Sequence, residues 1–521
     1  MKYVHWVSSA VYLTFLFPLL SMAQLAKYWV YFKDKPLAAS YQPEKGLSPA
    51  ALEKRRTLGI SCWQWSDVPV SQEYLQALTA VGAKVEVVSK WLNAASCRAD
   101  PLTLSRIQQL PFVEKITPLA YVLQQARLAQ QQDKREYTLA FRQLKADAFI
   151  EHNLTGKGIL IGVIDAGFYR APSHEYLKHL FEQSRILGFR DIVSPHRQTD
   201  FFYFSETDDD DHGTLVLQMI AGWSPSKKRQ YGLATEAKFY LARTDHGDKE
   251  FRAEEDYWIA AVEWMDSLGV RIINTSLGYA QDFDNPEDNY KPEQMDGKTT
   301  AISKAARIAV EEKGLLLVVA AGNEGGTTNW RIVCAPADVE GVLSVGATTP
   351  EGLKTFYSSI GPSFLPYLKP DVSCIPQVSA GTSFSAPLIT GFAACLMQAA
   401  PEKTAKEIIQ IIKKSSHLYP LGNNFIGYGV PDAKRALSLL QGDSATCPIS
   451  KQVVSNKSTY LIPAKASSKQ IAIAFHKSDA RNVIEQEVIE STKNGFLVRR
   501  NGNAVRTTVV IDNQVVEIHW E

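Results

Sequence analysis

The stretch Ile159-Leu160-Ile161-Gly162-Val163-Ile164-Asp165-Ala166-Gly167 decides the fold. Its unbroken apolar run suits a strand covered on both faces; a strand with one wet face would alternate. An acid ends the run, and Gly167 lets the backbone turn away at once. Leu315 to Ala321 repeats the pattern and ends in Gly322-Asn323-Glu324-Gly325-Gly326. Between the two runs, Glu254 to Leu268 and Thr300 to Lys313 have helical spacing. Buried strands alternating with helices imply an α/β class and a doubly wound, mainly parallel sheet, here assigned to residues 137–442.

The flanks have another texture. Residues 24–136 read as an α+β unit, with strands at Tyr28 to Phe32, Lys84 to Val88 and Phe112 to Ile116 and helices opened by Ser48-Pro49, Ser71 and Leu102. It ends in a connector, Gln124 to Gln132 with Asp133-Lys134-Arg135-Glu136, too polar to pack and open to cutting between about Gln124 and Arg142. Residues 443–521 carry short β-rich runs, Gln470 to Phe475, Phe496 to Arg500, Val505 to Ile511 and Val515 to Trp520, with Asn501-Gly502 and Asp512-Asn513 as turns. A small all-β domain is expected there. At the other end, Lys2, the apolar run Trp6 to Leu20 and Ser21-Met22-Ala23 read as a cleavable signal peptide over residues 1–23. The run is too short and too interrupted to span a bilayer, so export into a periplasmic or extracellular space is expected, without a membrane span.

Composition bounds the partners. Of 521 residues 45% are hydrophobic, enough for several packed cores, and Lys+Arg 56 against Asp+Glu 55 leaves +1, which gives no general attraction for nucleic acid. Six cysteines, none in a C-x-x-C pair, are too few for a disulfide scaffold and give no zinc signature. In an exported chain Cys62 with Cys97, or Cys334 with Cys374, could pair, and buried thiols are an equal expectation.

Ligand sites in open α/β sheets lie beyond the carboxyl ends of the strands, so polar residues there carry the chemistry. Four stand out. Asp165 is placed to orient a neighbour, and His212 opens a helix whose dipole should keep its imidazole neutral and basic. Ser383, in Gly381-Thr382-Ser383-Phe384-Ser385-Ala386-Pro387, precedes an apolar helix whose backbone NH groups would stabilise an anion beside its hydroxyl. Pro387 has no NH for the Ser383 carbonyl. Asn323 offers an uncharged donor. Alone, each has an ordinary reading as turn former, structural histidine, loop or helix cap; together they make an acid, a base, a nucleophile and an oxyanion donor in one domain.

Asp165-Ala166-Gly167, His212-Gly213-Thr214, Ala321-Gly322-Asn323 and Gly381-Thr382-Ser383 with Ala386-Pro387 resemble the subtilase (subtilisin-like) family of serine peptidases over about residues 140–440. The acid, histidine, serine order is that of subtilisin. The resemblance implies that Asp165 orients His212, that His212 takes the proton of Ser383, and that Asn323 and the Ser383 backbone NH hold the oxyanion of an acyl transfer. It implies protein or peptide substrates, a specificity pocket bordered by Ser276, Leu277, Gly278 and Glu324, and no cofactor for catalysis. It also makes residues 24–136 a propeptide, an intramolecular inhibitor of the zymogen.

Where the family often has a second histidine, this chain has Leu215. The stretch before His212 is long and carries Phe201-Phe202-Tyr203-Phe204, expected as a covered loop and not a cleft rim. The acidic run Asp208 to Asp211 could hold structural calcium, but no Gly-punctuated ligand loop follows, and a solvated charge cluster is the expectation. Ser385 breaks a G-x-S-x-G elbow, and Gly156-x-Gly158 precedes its strand where a dinucleotide fingerprint would follow one. The remaining alternative is a catalytically silent exported binding or adhesion protein on a peptidase fold.

Overall fold

The computed structural model describes residues 25–119, 136–207, 209–224, 226, 228–247, 252–281, 283, 286–443, 449–464 and 470–521. The signal stretch, most of the Gln-rich connector, Asp208 and Cys447 lie outside the described residues.

Seven parallel strands form the central sheet, in the spatial order Val372–Cys374, Leu343–Ala347, Leu316–Ala320, Ile272–Thr275, Leu160–Asp165, Lys238–Arg243, Ile186–Asp191. The expected doubly wound sheet is therefore present. Its inner strands are buried on both faces, which is why they read as unbroken apolar runs. One face packs on the helices His212–Ala221 and Ala386–Ala399, the other on Ala253–Ser267 and Ala301–Glu311. Ala140 and Leu144 are wholly buried in the first of these cores, and Ala433 donates its backbone NH to the Leu144 carbonyl. A cut as late as Arg142 would sever a packed element, so the accessible stretch ends earlier.

The N-terminal unit is a four-stranded antiparallel sheet, Lys84–Ser89, Ala94–Ala99, Ala26–Phe32, Val113–Leu119, with helices Pro49–Thr57, Gln72–Ala80 and Pro101–Gln108. Ser48 caps the first helix through the Ala51 NH, with Pro49 at its first position. The strand Ala94–Ala99 is absent from the sequence reading because Ala-Ala-Ser-Cys has little intrinsic strand preference; it is formed by two flanking partners.

The C-terminal domain has five strands in the order Ile449–Ser455, Gln514–Trp520, Arg506–Ile511, Ile471–Lys477, Val483–Glu490, and a separate pair Thr459–Pro463 with Gly495–Arg499. Val483–Glu490 escaped the sequence reading because half its residues are Glu or Gln, suited to a solvated edge. Phe201 and Phe202 are buried against Phe168, Phe181 and Phe189, so the first half of the aromatic run is covered as expected, whereas Tyr203 and Phe204 are exposed at 71% and 40%. Cys62, Cys97, Cys334, Cys374 and Cys395 are thiols, so neither expected pairing exists. No described helix is long and apolar enough to cross a membrane.

Candidate active site

Asp165 is the last residue of its strand and completely buried. Its Oδ1 accepts from the Ala166 backbone NH at 2.9 Å and from His212 Nδ1 at 2.6 Å. His212 is the first residue of the helix His212–Ala221. Two glycines allow the approach: a Cβ on Gly213 would lie 2.4 Å from the Gly167 carbonyl and 2.8 Å from the Asp165 side chain, and one on Gly167 would meet the Asp210 carbonyl at 2.4 Å. The Asp-Ala-Gly and His-Gly motifs are thus two halves of one contact.

The helix start does not keep His212 ready to lose its proton. Burial disfavours the imidazolium, but Asp165, with Asp209 and Asp245 further off, outweighs it and pushes the group up to about 9 from 6.5. A helix dipole is worth at most about 2 kcal/mol, whereas Asp165 is in direct hydrogen-bond contact. The expectation of a dipole-neutralised histidine is therefore corrected.

Ser383 sits in the turn Thr382–Phe384 just ahead of the helix Ala386–Ala399, 9% exposed. Its Oγ donates to the Ser276 carbonyl at 3.1 Å, and among the described residues no hydrogen bond joins it to His212. The Ser383 carbonyl, which Pro387 cannot serve, accepts from Ser276 Oγ at 2.9 Å. Asn274 donates to that hydroxyl at 3.2 Å and accepts from Thr390 at 2.8 Å, which ties the turn to the helix behind it. Ser276 is thus a support for Ser383. Leu277 is half-buried and Gly278 exposed, so these two present the surface beside it.

Asn323 follows the strand Leu316–Ala320. Its Oδ1 accepts from the Thr382 NH at 2.9 Å and the Thr382 hydroxyl at 3.2 Å, which makes Nδ2 the donor end of the amide. Thr382, which the sequence reading passed over, orients Asn323; its only signal is its place in Gly-Thr-Ser. The Glu324 backbone NH donates to Ser359 Oγ at 3.2 Å, and the Glu324 Oε2 accepts from Ser359 Oγ at 3.0 Å and from the Cys334 thiol at 3.2 Å. Nothing in the sequence flagged Ser359 or Cys334 as its partners.

Asp210 is spent on the Glu206 and Thr207 NH groups and on Arg243, and no cluster of three or more metal-ligating side chains occurs among the described residues. A buried acid, a basic histidine, a hydroxyl beside a helix start and a fixed amide donor can together perform acyl transfer.

The chain resembles known peptidases in sequence and in fold. The Subtilase family model (Peptidase S8) matches residues 156–429, and a Peptidase S8 propeptide domain model of Bacteroidota matches residues 27–136. Subtilisin NAT of Bacillus subtilis subsp. natto is 24% identical over 396 residues, 75% of this chain and 91% of that protein. The Extracellular basic protease of Dichelobacter nodosus is 23% identical over 375 residues, 63% of this chain and 58% of its own. Among solved structures, the Epidermin Leader Peptide Processing Serine Protease of Staphylococcus aureus shares the fold, with a TM-score of 0.52 at 15% identity over 80% of this chain and all of that one.

Proposed function

The chain belongs to the subtilase family of serine endopeptidases, and on that premise we propose that it cleaves protein substrates through an acyl-enzyme formed on Ser383. Asp165 accepts a hydrogen bond from the Nδ1–H of His212 and stays ionised, which leaves Nε2 as the base. A rotation about the Ser383 Cα–Cβ bond carries Oγ from the Ser276 carbonyl to Nε2; apo sites commonly show such contacts unmade. Oγ then attacks the substrate carbonyl while its proton passes to Nε2. The oxyanion is received by Asn323 Nδ2 and the Ser383 NH. His212 returns the proton to the departing amine, and water repeats the cycle on the ester. The substrate residue before the scissile bond lies between Ser276-Leu277-Gly278 and Glu324.

The observation that carries this reading is the 2.6 Å contact between His212 Nδ1 and the buried Asp165, which fixes tautomer and basicity together. Titration with a serine-directed phosphonate tests it. One equivalent should bind, on Ser383, and none in His212→Ala; a folded wild type that takes up no label would leave a silent binding protein.

Within the same reading, residues 1–23 direct export, 24–136 are the propeptide that covers the cleft, 137–442 the peptidase and 443–521 a domain kept after maturation. The release cut falls between about Gln124 and Tyr137, ahead of the buried Ala140. Export is supported by the signal-like start and by the extracellular relative.

A further inference from the structure

Beside the apolar core that joins the C-terminal domain to the peptidase, one polar side chain holds a loop that leads to the active site. Gln486, on the strand Val483–Glu490, accepts from the Lys354 backbone NH with Oε1 at 2.9 Å and donates to the Lys354 carbonyl with Nε2 at 2.9 Å. Lys354 is 7% exposed, and its ammonium donates to the carbonyls of Thr355 at 2.7 Å, Phe356 at 3.1 Å and Ser358 at 2.9 Å. It is thus the internal cap of the loop 355–359. That loop holds the next one: the Gly325 NH donates to the Tyr357 carbonyl at 2.7 Å, the Ser359 NH to the Gly322 carbonyl at 3.0 Å, and Ser359 Oγ to Glu324 at 3.0 Å. Asn323 lies between these anchor points.

We infer that Gln486 and Lys354 are positioning residues for Asn323 and Glu324, and that the C-terminal domain is thereby a working part of the peptidase. The catalytic half of this rests on the oxyanion role proposed above; the mechanical half does not. Three backbone carbonyls converging on one point repel one another unless a cation or donors satisfy them, and a donor displaced by about 1 Å can cost 10²-fold in rate. The charge that faces Lys354 is Arg331; its other neighbours are the three carbonyls, the Phe425 ring and the Gln486 amide, all neutral. Burial, with Arg331 nearby, lowers its proton affinity to about 8, so the cap weakens as pH rises through that value.

The test compares processed wild type with Lys354→Met, Lys354→Arg, Gln486→Leu and Arg500→Ala. Among the described residues Arg500 bonds only inside the C-terminal domain, its side chain to the Ala504 and Glu521 carbonyls, and it serves as the control for lost stability. Lys354→Met should lower kcat by about 100-fold and Gln486→Leu by about tenfold, with KM within about threefold. Lys354→Arg should restore most of the rate and hold it above pH 9, where wild type declines. Arg500→Ala should leave kcat unchanged. Amide exchange at Gly322 to Gly325 reads the link without turnover, and should quicken in Lys354→Met and Gln486→Leu only. Unchanged exchange in both variants, or equal losses of kcat in Gln486→Leu and Arg500→Ala, would overturn the inference. Quickened exchange in a protein that cleaves nothing would instead refute the proposed function and leave the mechanical link standing.

Discussion

The two flanking units are attached to the peptidase with a different balance of buried charge and apolar contact. On the N-terminal side, Lys54 meets Asp266 at 2.6 Å, Arg55 meets Asp266 at 3.0 Å, and Lys313 meets Asp67 at 3.0 Å, all buried. Along the same helix Asp256 pairs with Lys27 at 2.7 Å, and Glu263 accepts from Ser89 at 2.6 Å. Trp29, Tyr31, Val87 and Trp91 fill the spaces between. On the C-terminal side, Leu418, Phe425 and Ile426, with Leu353 and Ile360 beside them, share one apolar core with Ile473, Phe475, Val483, Val510 and Val515. A surface held by buried charges remains soluble when bared, because each ion regains its water; an apolar one does not. On the proposed maturation, the first joint is the one suited to open and the second to stay closed.

The largest effect concerns what opens the first joint. Ser383→Ala should reduce kcat by about 10⁶, the cost of losing the serine in subtilisin. Purified variant hydrolysing a peptide substrate at the wild-type rate would remove the agent of self-cutting from the account.

Next come the joints themselves, read in the uncut Ser383→Ala precursor by denaturant unfolding. Asp266→Ala leaves Lys54 and Arg55 buried beside a missing partner and should cost about 3–5 kcal/mol. Phe475→Ala should cost a similar 3–5 kcal/mol through a cavity. Acid separates the two. Burial raises the Asp266 proton affinity, but Lys54 and Arg55 more than offset it and hold the carboxyl below its ordinary 3.8. Its contribution is therefore present above pH 3.8 and is lost as pH falls through the lower folded value. The Phe475 contribution has no such dependence. Equal acid sensitivity of both joints would erase the contrast.

At the site the effects are smaller. Asn323→Ala should lower kcat by about 10² to 10³ with little change in KM, since the bond forms mainly in the transition state. A raised KM at normal kcat would make Asn323 a ground-state contact. For His212 the sign is the reverse of a buried, unpaired histidine. Its raised proton affinity means that the neutral base appears only as pH rises, so the acid limb of kcat/KM should lie above 6.5 and toward 9. A limb at or below 6.5 would show that the carboxylates do not act on it in the processed enzyme.

The contrast between the joints also marks what could be read in advance. The peptidase sheet was legible because parallel strands buried on both faces need continuous apolar runs, and Ile159 to Ile164 has nothing else to be. The four chemical residues were legible because each ends an element, where the backbone motif announces it. Ser276 was flagged as pocket lining, yet it holds Ser383 from both sides, a pairing across 107 positions that no local pattern encodes. Lys354 and Gln486, 132 positions apart, are likewise ordinary polar residues until the fold sets them together. The proton affinity of His212 departs from the sequence expectation for a related reason. The helix start was visible in the sequence, whereas the summed field of Asp165, Asp209 and Asp245 exists only in three dimensions.

Intact mass of the species that hydrolyses substrate tests the account most directly, with wild type and Ser383→Ala prepared side by side. Wild type should lose everything up to a point between about Gln124 and Tyr137 and keep residue 521, while Ser383→Ala keeps both flanking units. An active wild type with the N-terminal unit still covalently attached, or one that has shed the C-terminal domain without loss of rate, would contradict it.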